Sequence, residues 1–174
     1  MSSSKSLGYL WEQTRDLHHA CEEHLVGAAM ASGKPPMKWY RWWLSGLHTI
    51  HAVLDPHLPP ALHRTERLAS DMLVAGSQFG CSGAATAYAA QLTTSEALCG
   101  AAYVLTGAHL MGGEIMRRRL DGYPTKHLIW DDRKLALQGL MVYRGRTDIV
   151  QESRDCFAAL LGVMDEIIEK VGHV

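Results

Sequence analysis

Apolar residues recur at i, i+3, i+4 and i+7 along almost the whole chain, and no segment alternates polar and apolar residues for the length a half-buried strand requires. This periodicity restricts the chain to an all-α fold. Glycine and proline interrupt it at "ASGKPP", "DPHLPP", "GSQFGCSG", "DGYPTKH" and "YRGRTD". Between the interruptions the spacing predicts helices over residues 6–30, 36–55, 60–76, 95–119, 131–143 and 147–171. Pro35 and Pro36 suit a helix start, because their missing amide donors would be unpaired there anyway, and Ser95 and Thr147 offer caps for later helices. With 174 residues and no linker or repeat, one domain over 6–171 is expected, preceded by a flexible start at 1–5.

Charge and cysteine usage narrow the possibilities. A formal net charge of -1 gives no global attraction for nucleic acid or anionic lipid, so any basic site has to be local. No apolar run approaches the roughly 20 residues of a membrane span, and "MSSSKSLGYLWEQ" lacks the apolar centre of a secretory signal, so a cytoplasmic protein is expected. Cys21, Cys81, Cys99 and Cys156 are too scattered for a CxxC metal site or a disulfide framework. They read as reduced, mostly buried thiols.

Three places carry residues that chemistry could use. In the first helix Trp11, Thr14, His18, Cys21 and Leu25 share an apolar face, so His18 is expected to project inward, while His19 sits with Glu12, Arg15, Glu22 and Glu23 on a solvated side. An inward histidine is either a hydrogen-bonded core residue or an imidazole ligand for a metal or haem iron. The second place is "YVLTGAHLMGG", where Gly107, Gly112 and Gly113 lie within a helical pattern. Each costs roughly 1 kcal/mol relative to alanine, which points to close helix packing or to bare backbone brought up to a flat ligand. The third is Tyr143, Arg144 and Arg146 in "VYRGRTD", either solvated or placed to pair with a dianionic ligand.

Taken in order, six segments resemble the heme oxygenase family over most of the chain. "LWEQTRDLHHACEEH" looks like its proximal helix, "GLHTIHAVLD" its second helix, and "LPPALHRTERLASDM" the stretch in which Leu62, His63, Arg64, Leu68 and Asp71 match. "AAYVLTGAHLMGGEI" resembles the glycine-rich distal helix and "LMVYRGR" the Tyr-Arg-x-Arg run after it. "ESRDCFAALLGVMDEI" is similar to the last helix, with Phe157 and Leu160 at core positions. The resemblance implies a single-domain multi-helix bundle clamping haem b between the first helix and a glycine-kinked distal helix. It implies that haem is cofactor and substrate at once, opened with dioxygen and electrons to biliverdin, carbon monoxide and ferrous iron.

By the same matching, His18 is the iron ligand. Gly107, Gly112 and Gly113 put backbone over the haem, Arg144 pairs with a propionate, and Arg15, Tyr103 and Tyr143 are further haem contacts beside Phe157. One departure stands out. Many members have an aspartate just after the first distal glycine, ordering the water that delivers a proton, and this chain has none. Matching the paired glycines puts Ala108 or His109 near that place, whereas an ungapped match sets Met111 and Gly112 on the pair. His109 would hold the water, donate a proton or reach the iron, and His51 would be a second polar group over the haem if it faces inward.

No Rossmann fingerprint and no iron-sulfur cysteine run is present, so electrons have to come from a ferredoxin, flavodoxin or reductase, and a bilin-accepting protein is a further partner. Lys38, Arg41, Arg117, Arg118 and Arg119 are either a docking patch for the donor or ordinary solvated surface. Two other functions stay open: a non-catalytic haem carrier or sensor on the same fold, and a helical di-iron oxidase, to which "HTIH" and Glu22 lend weak support.

Overall fold

The computed structural model describes residues 3–172, and among them it contains helices and turns but no strand. The α-helices are α1 (Ser3–Glu23), α2 (Leu25–Ser32), α3 (Met37–Leu54), α4 (Thr65–Ala75), α5 (Gly83–Ala89), α6 (Ser95–Arg119), α7 (Arg133–Arg144) and α8 (Val150–Glu166). A π-helical turn, Ile167–Val171, extends α8. Of the residues expected to form a flexible start, Met1 and Ser2 lie outside the described residues, while Ser3, Ser4 and Lys5 belong to α1.

Local chemistry explains where the boundaries depart from expectation. The single helix expected over 6–30 is two, because His24 leaves helical geometry and its Nδ1 accepts a hydrogen bond from the Val26 amide, which caps α2. Gly27 makes the corner feasible: a Cβ there would lie 1.8 Å from the Cys21 carbonyl oxygen. The helix expected from residue 60 begins only at Thr65. Asp55, at the end of α3, caps it from a distance by accepting from the Arg64 and Thr65 amides. Helix α5 was not expected, since its seven residues sit among glycines and serines with too little length for a period to show. It is held by the Ser82 hydroxyl and by Glu166 of α8, which accepts from the Ala84 amide. Thr94 rather than Ser95 caps α6, and α8 starts without a side-chain cap from Thr147.

One hydrophobic core joins these elements. Helix α3 supplies much of it, with Trp39, Tyr40, Leu44, Leu47, Ile50 and Leu54 buried; each such side chain stabilises the fold by about 1.5–3 kcal/mol relative to exposure. Helix α8 is a common support along which α1, α5 and α6 all pack. The α6–α8 crossing is close because residue 100 is glycine: a Cβ there would meet the Glu152 backbone carbon at 2.6 Å. Helix α6 keeps its α-helical hydrogen bonding from Ser95 to Arg119, so any bend its glycines permit does not break it. No helix of the described residues is long and apolar enough to cross a membrane. All four cysteines are free, but only Cys156 is buried; Cys21, Cys81 and Cys99 are half-buried, which corrects the expectation of mostly buried thiols.

Candidate functional site

On α1 the inward face is narrower than its periodicity suggests. Thr14 is buried and His18 half-buried, but Trp11 and Leu25 are exposed. The His18 ring packs edge-on against Trp11, centroids 4.9 Å apart, and against Phe157 of α8 at 5.9 Å. Its Nδ1 has no hydrogen-bond partner and lies 3.6 Å from Glu22 Oε2. A carboxylate on that side favours the proton on Nδ1, which leaves the Nε2 lone pair for a ligand. His19 is exposed, as expected. Burial first, then Glu22, pushes the Cys21 thiol up to about 11.

Helix α6 divides its glycines between two uses. Ala108, Met111, Gly112 and Ile115 form an exposed stripe at helical spacing, and a Cβ on Gly112 would meet nothing within 4 Å. Gly107 is almost as open, with Leu140 at 4.0 Å. Gly113, by contrast, is buried and packs on Leu128. Two of the three glycines thus keep space free, and the third lets a neighbour approach.

His109 points the other way, into the interior. Its ring stacks on buried His51, centroids 5.7 Å apart and planes 18° from parallel, and meets His127 edge-on at the same separation. Each outer histidine is held by a carboxylate: His51 Nδ1 is 3.0 Å from Asp55 Oδ1, and His127 Nδ1 is 2.6 Å from Asp71 Oδ2. Backbone amides fix these carboxylates, Arg64 and Thr65 on Asp55, Lys126 and His127 on Asp71. Burial first, then the neighbouring imidazoles of His127 and His51, holds His109 well below the ordinary histidine range and therefore neutral. Burial raises the Asp55 carboxyl, but hydrogen bonds from His51 and Thr65 outweigh it and bring Asp55 down to about 2. Within this chain His51 Nε2 and His109 Nδ1 are buried without a partner, which is uncommon for polar atoms and marks a place where a polar guest would be stabilised.

Tyr103 of α6 adjoins both Thr14 of α1 and Arg144 of α7. Burial pushes its phenol above the ordinary value, and the Thr14 hydroxyl and Arg144 guanidinium oppose that push. Tyr143 is also raised, by burial and by Cys99. Arg146 is committed to Asp148, whereas Arg144 joins none of the ion pairs among the described residues. Arg15 is exposed. The five surface cations do not form one free patch: Arg117 and Arg118 pair with Glu114, Arg119 with the Ala31 carbonyl, Lys38 with that of Val171 and Arg41 with that of Ala75. A cavity of about 400 Å³ reaches His109 between Glu114, Arg117, Trp130 and Arg133. Another of about 640 Å³ reaches Asp55 and Arg64 between α4 and α7. Neither is lined by His18 or Gly112, and the space over Gly112 is open.

No family model matches the sequence, and no curated protein is a significant match. Solved structures do match. Heme oxygenase-1 of the cyanobacterium Synechocystis in complex with heme aligns with TM-score 0.80 and 18% identity over 95% of this chain and 93% of its own. Heme oxygenase of Leptospira interrogans gives TM-score 0.80 and 19% identity over 92% and 98%. Heme oxygenase-2 of Synechocystis in complex with heme and NO gives 0.79 and 19% over 97% and 89%. This chain has the heme oxygenase fold.

Within that fold, four residues of the interior network were not singled out for a role by sequence reasoning. Asp55 and His127 fall in the proline- and glycine-rich breaks after α3 and before α7, where periodicity says nothing about burial. Asp71 and Arg64 carried a family match without a function. Arg64 spans the two, its guanidinium donating to the His127 and Ile129 carbonyls and lying 3.7 Å over Trp130. The available signal was the i, i+4 pair His51–Asp55 at the end of an otherwise apolar helix. The donors that a di-iron site would need do not converge: among the described residues the one trio of His, Cys, Asp or Glu ligand atoms within 4.8 Å is His18, His19 and Glu22, all on α1.

Proposed function

We propose that the protein is a heme oxygenase, binding haem between α1 and α6 and, with dioxygen and an external electron donor, opening it to biliverdin, carbon monoxide and ferrous iron. One observation carries the reading. Helices α1 and α6 both rest on α8 and meet at Thr14 and Tyr103, and the first offers an imidazole while the second offers a face stripped of side chains at Gly112. The donors present suit the group: a histidine with a carboxylate behind Nδ1, apolar Met111 and Ile115 along the open stripe, and, beside Tyr103, an Arg144 that joins no ion pair among the described residues.

Haem bound there supplies the iron that reduces dioxygen and the ring that is opened. The chain's own residues do the rest. His18 would hold the iron through Nε2, and Phe157 and Trp11 limit how its ring can turn. Arg144 would pair with the propionates through charge-assisted hydrogen bonds, beside Tyr103. Ala108, Gly107 and Gly112 would leave room for the haem against α6. His109 takes the place of the distal aspartate, not as a carboxylate but as a buried neutral imidazole stacked on His51. The two unpartnered nitrogens, His109 Nδ1 and His51 Nε2, then hold the water from which protons are delivered, with Asp55 stabilising the charge when His51 takes one up.

The carrier or sensor reading is favoured by the histidine where an aspartate is usual. To ligate iron, His109 would have to leave its place between His51 and His127. Haem reconstitution followed by reductant in air separates the two. Catalysis requires decay of the Soret band with growth of a bilin spectrum, and His18→Ala is expected to abolish the axial imidazole signal while His19→Ala keeps it. Haem that persists under reductant and oxygen would instead support the carrier, and absence of stoichiometric haem uptake would end both.

A further inference from the structure

His19 and Glu22 have no part in the function proposed above, yet with His18 they form a second kind of site. Residues 18 and 22 are one helical turn apart and residue 19 lies on the adjacent row, so an α-helix brings all three side chains to one place. Their ligand atoms, an imidazole nitrogen from each histidine and a carboxylate oxygen, lie within 4.8 Å of one another, and the two rings have centroids 6.1 Å apart. Among the described residues Glu22 pairs with no lysine or arginine. His18 Nδ1, the nitrogen on the Glu22 side, has no hydrogen-bond partner among the described residues, and a metal taken up there would move the ring proton to Nε2, the nitrogen that haem would use. His19 and Glu22 are exposed, so closing from these separations to coordination distance asks only for side-chain rotation.

We infer that His18, His19 and Glu22 form a three-donor site for a divalent transition metal, and that metal and haem compete for His18. Two imidazoles and one carboxylate with an open fourth position are what zinc and its neighbours take in open sites, whereas magnesium and calcium prefer an all-oxygen set. The competition rests on the haem reading; the three-donor site does not.

The test is calorimetric titration of Zn2+ into haem-free protein and, separately, into protein loaded with one equivalent of haem. One zinc per chain is expected in the haem-free protein, with the dissociation constant raised roughly tenfold or more by His19→Ala and by Glu22→Gln. Prior loading with haem is expected to suppress the uptake. His19→Ala is expected to take up haem as the unsubstituted protein does, which shows that the variant is folded. The inference is overturned by absence of zinc uptake, by uptake that His19→Ala and Glu22→Gln leave unchanged, or by undiminished uptake in the haem-loaded protein. Zinc uptake in a chain that takes up no haem would overturn the haem reading and the competition while supporting the three-donor site.

Discussion

Replacing Gly112 by alanine separates what the fold wants from what a ligand wants. Gly112 lies inside the 25 residues of α6, is exposed, and has nothing within 4 Å of where a Cβ would stand. For the haem-free protein the substitution therefore brings no clash, and alanine's higher helix propensity stabilises by about 0.8–1 kcal/mol. For a chain of this size that raises the melting temperature by about 2–4 °C. The same methyl projects into the space assigned to haem, where overpacking costs about 1–3 kcal/mol, so affinity should fall by roughly 5- to 150-fold. Circular dichroism of the haem-free variant reads the first effect and Soret titration the second. Gly113→Ala is the control: its Cβ would touch Leu128 at 3.6 Å, an ordinary contact away from the open stripe, so haem affinity should be unchanged. A Gly112→Ala protein that is more stable and binds haem as tightly as before would refute the use of that space by a ligand. One that is less stable would refute the claim that the space is open.

Three further expectations follow from the packing and electrostatics. Gly100→Ala should destabilise by about 2 kcal/mol or more, because its Cβ would have to displace the Glu152 backbone rather than a side chain; an unchanged urea midpoint would mean that the α6–α8 approach is less tight than it stands here. Asp55 has a folded value near 2 against an ordinary 3.8, so its contribution is present above about pH 4 and lost as pH falls through about 2. Asp55→Asn should then cost about 2 kcal/mol at pH 7 and progressively less below about pH 3, and an equal deficit at both would show that the charge is not what matters. Arg144→Ala should weaken haem retention or alter the mixture of biliverdin isomers, read by chromatography of the product, and identical retention and product would remove its assigned role.

Helix type and approximate extent were legible because periodicity reports burial over ten or more residues, and α6 was bounded correctly by its own pattern. What periodicity misses is anything decided by a single contact. The break at His24 depends on one side chain bonding an amide two residues on, and the late start of α4 depends on Asp55 ten positions away. Helix α5 escaped for the same reason, since its anchor on Glu166 is long-range. At the candidate site, His18 was legible as the partly inward member of the pair with His19, because one helical position decides it. The destination of His109 was not. It shares α6 with Gly112 but turns to His51 and His127, and two of those three rings come from elements whose relative placement no local pattern encodes.

The seating of two helices on a third has a mechanical corollary. Cys21 and His18 touch α8 at Phe157, and Gly100 touches it at Glu152, one and a half turns away, so α8 works as the spacer of a calliper. The spacing is set where each arm meets that spacer, at Phe157 for α1 and at Gly100 against Glu152 for α6. Resizing it, for a bulkier or slimmer planar guest, calls for an exchange at one of these two contacts.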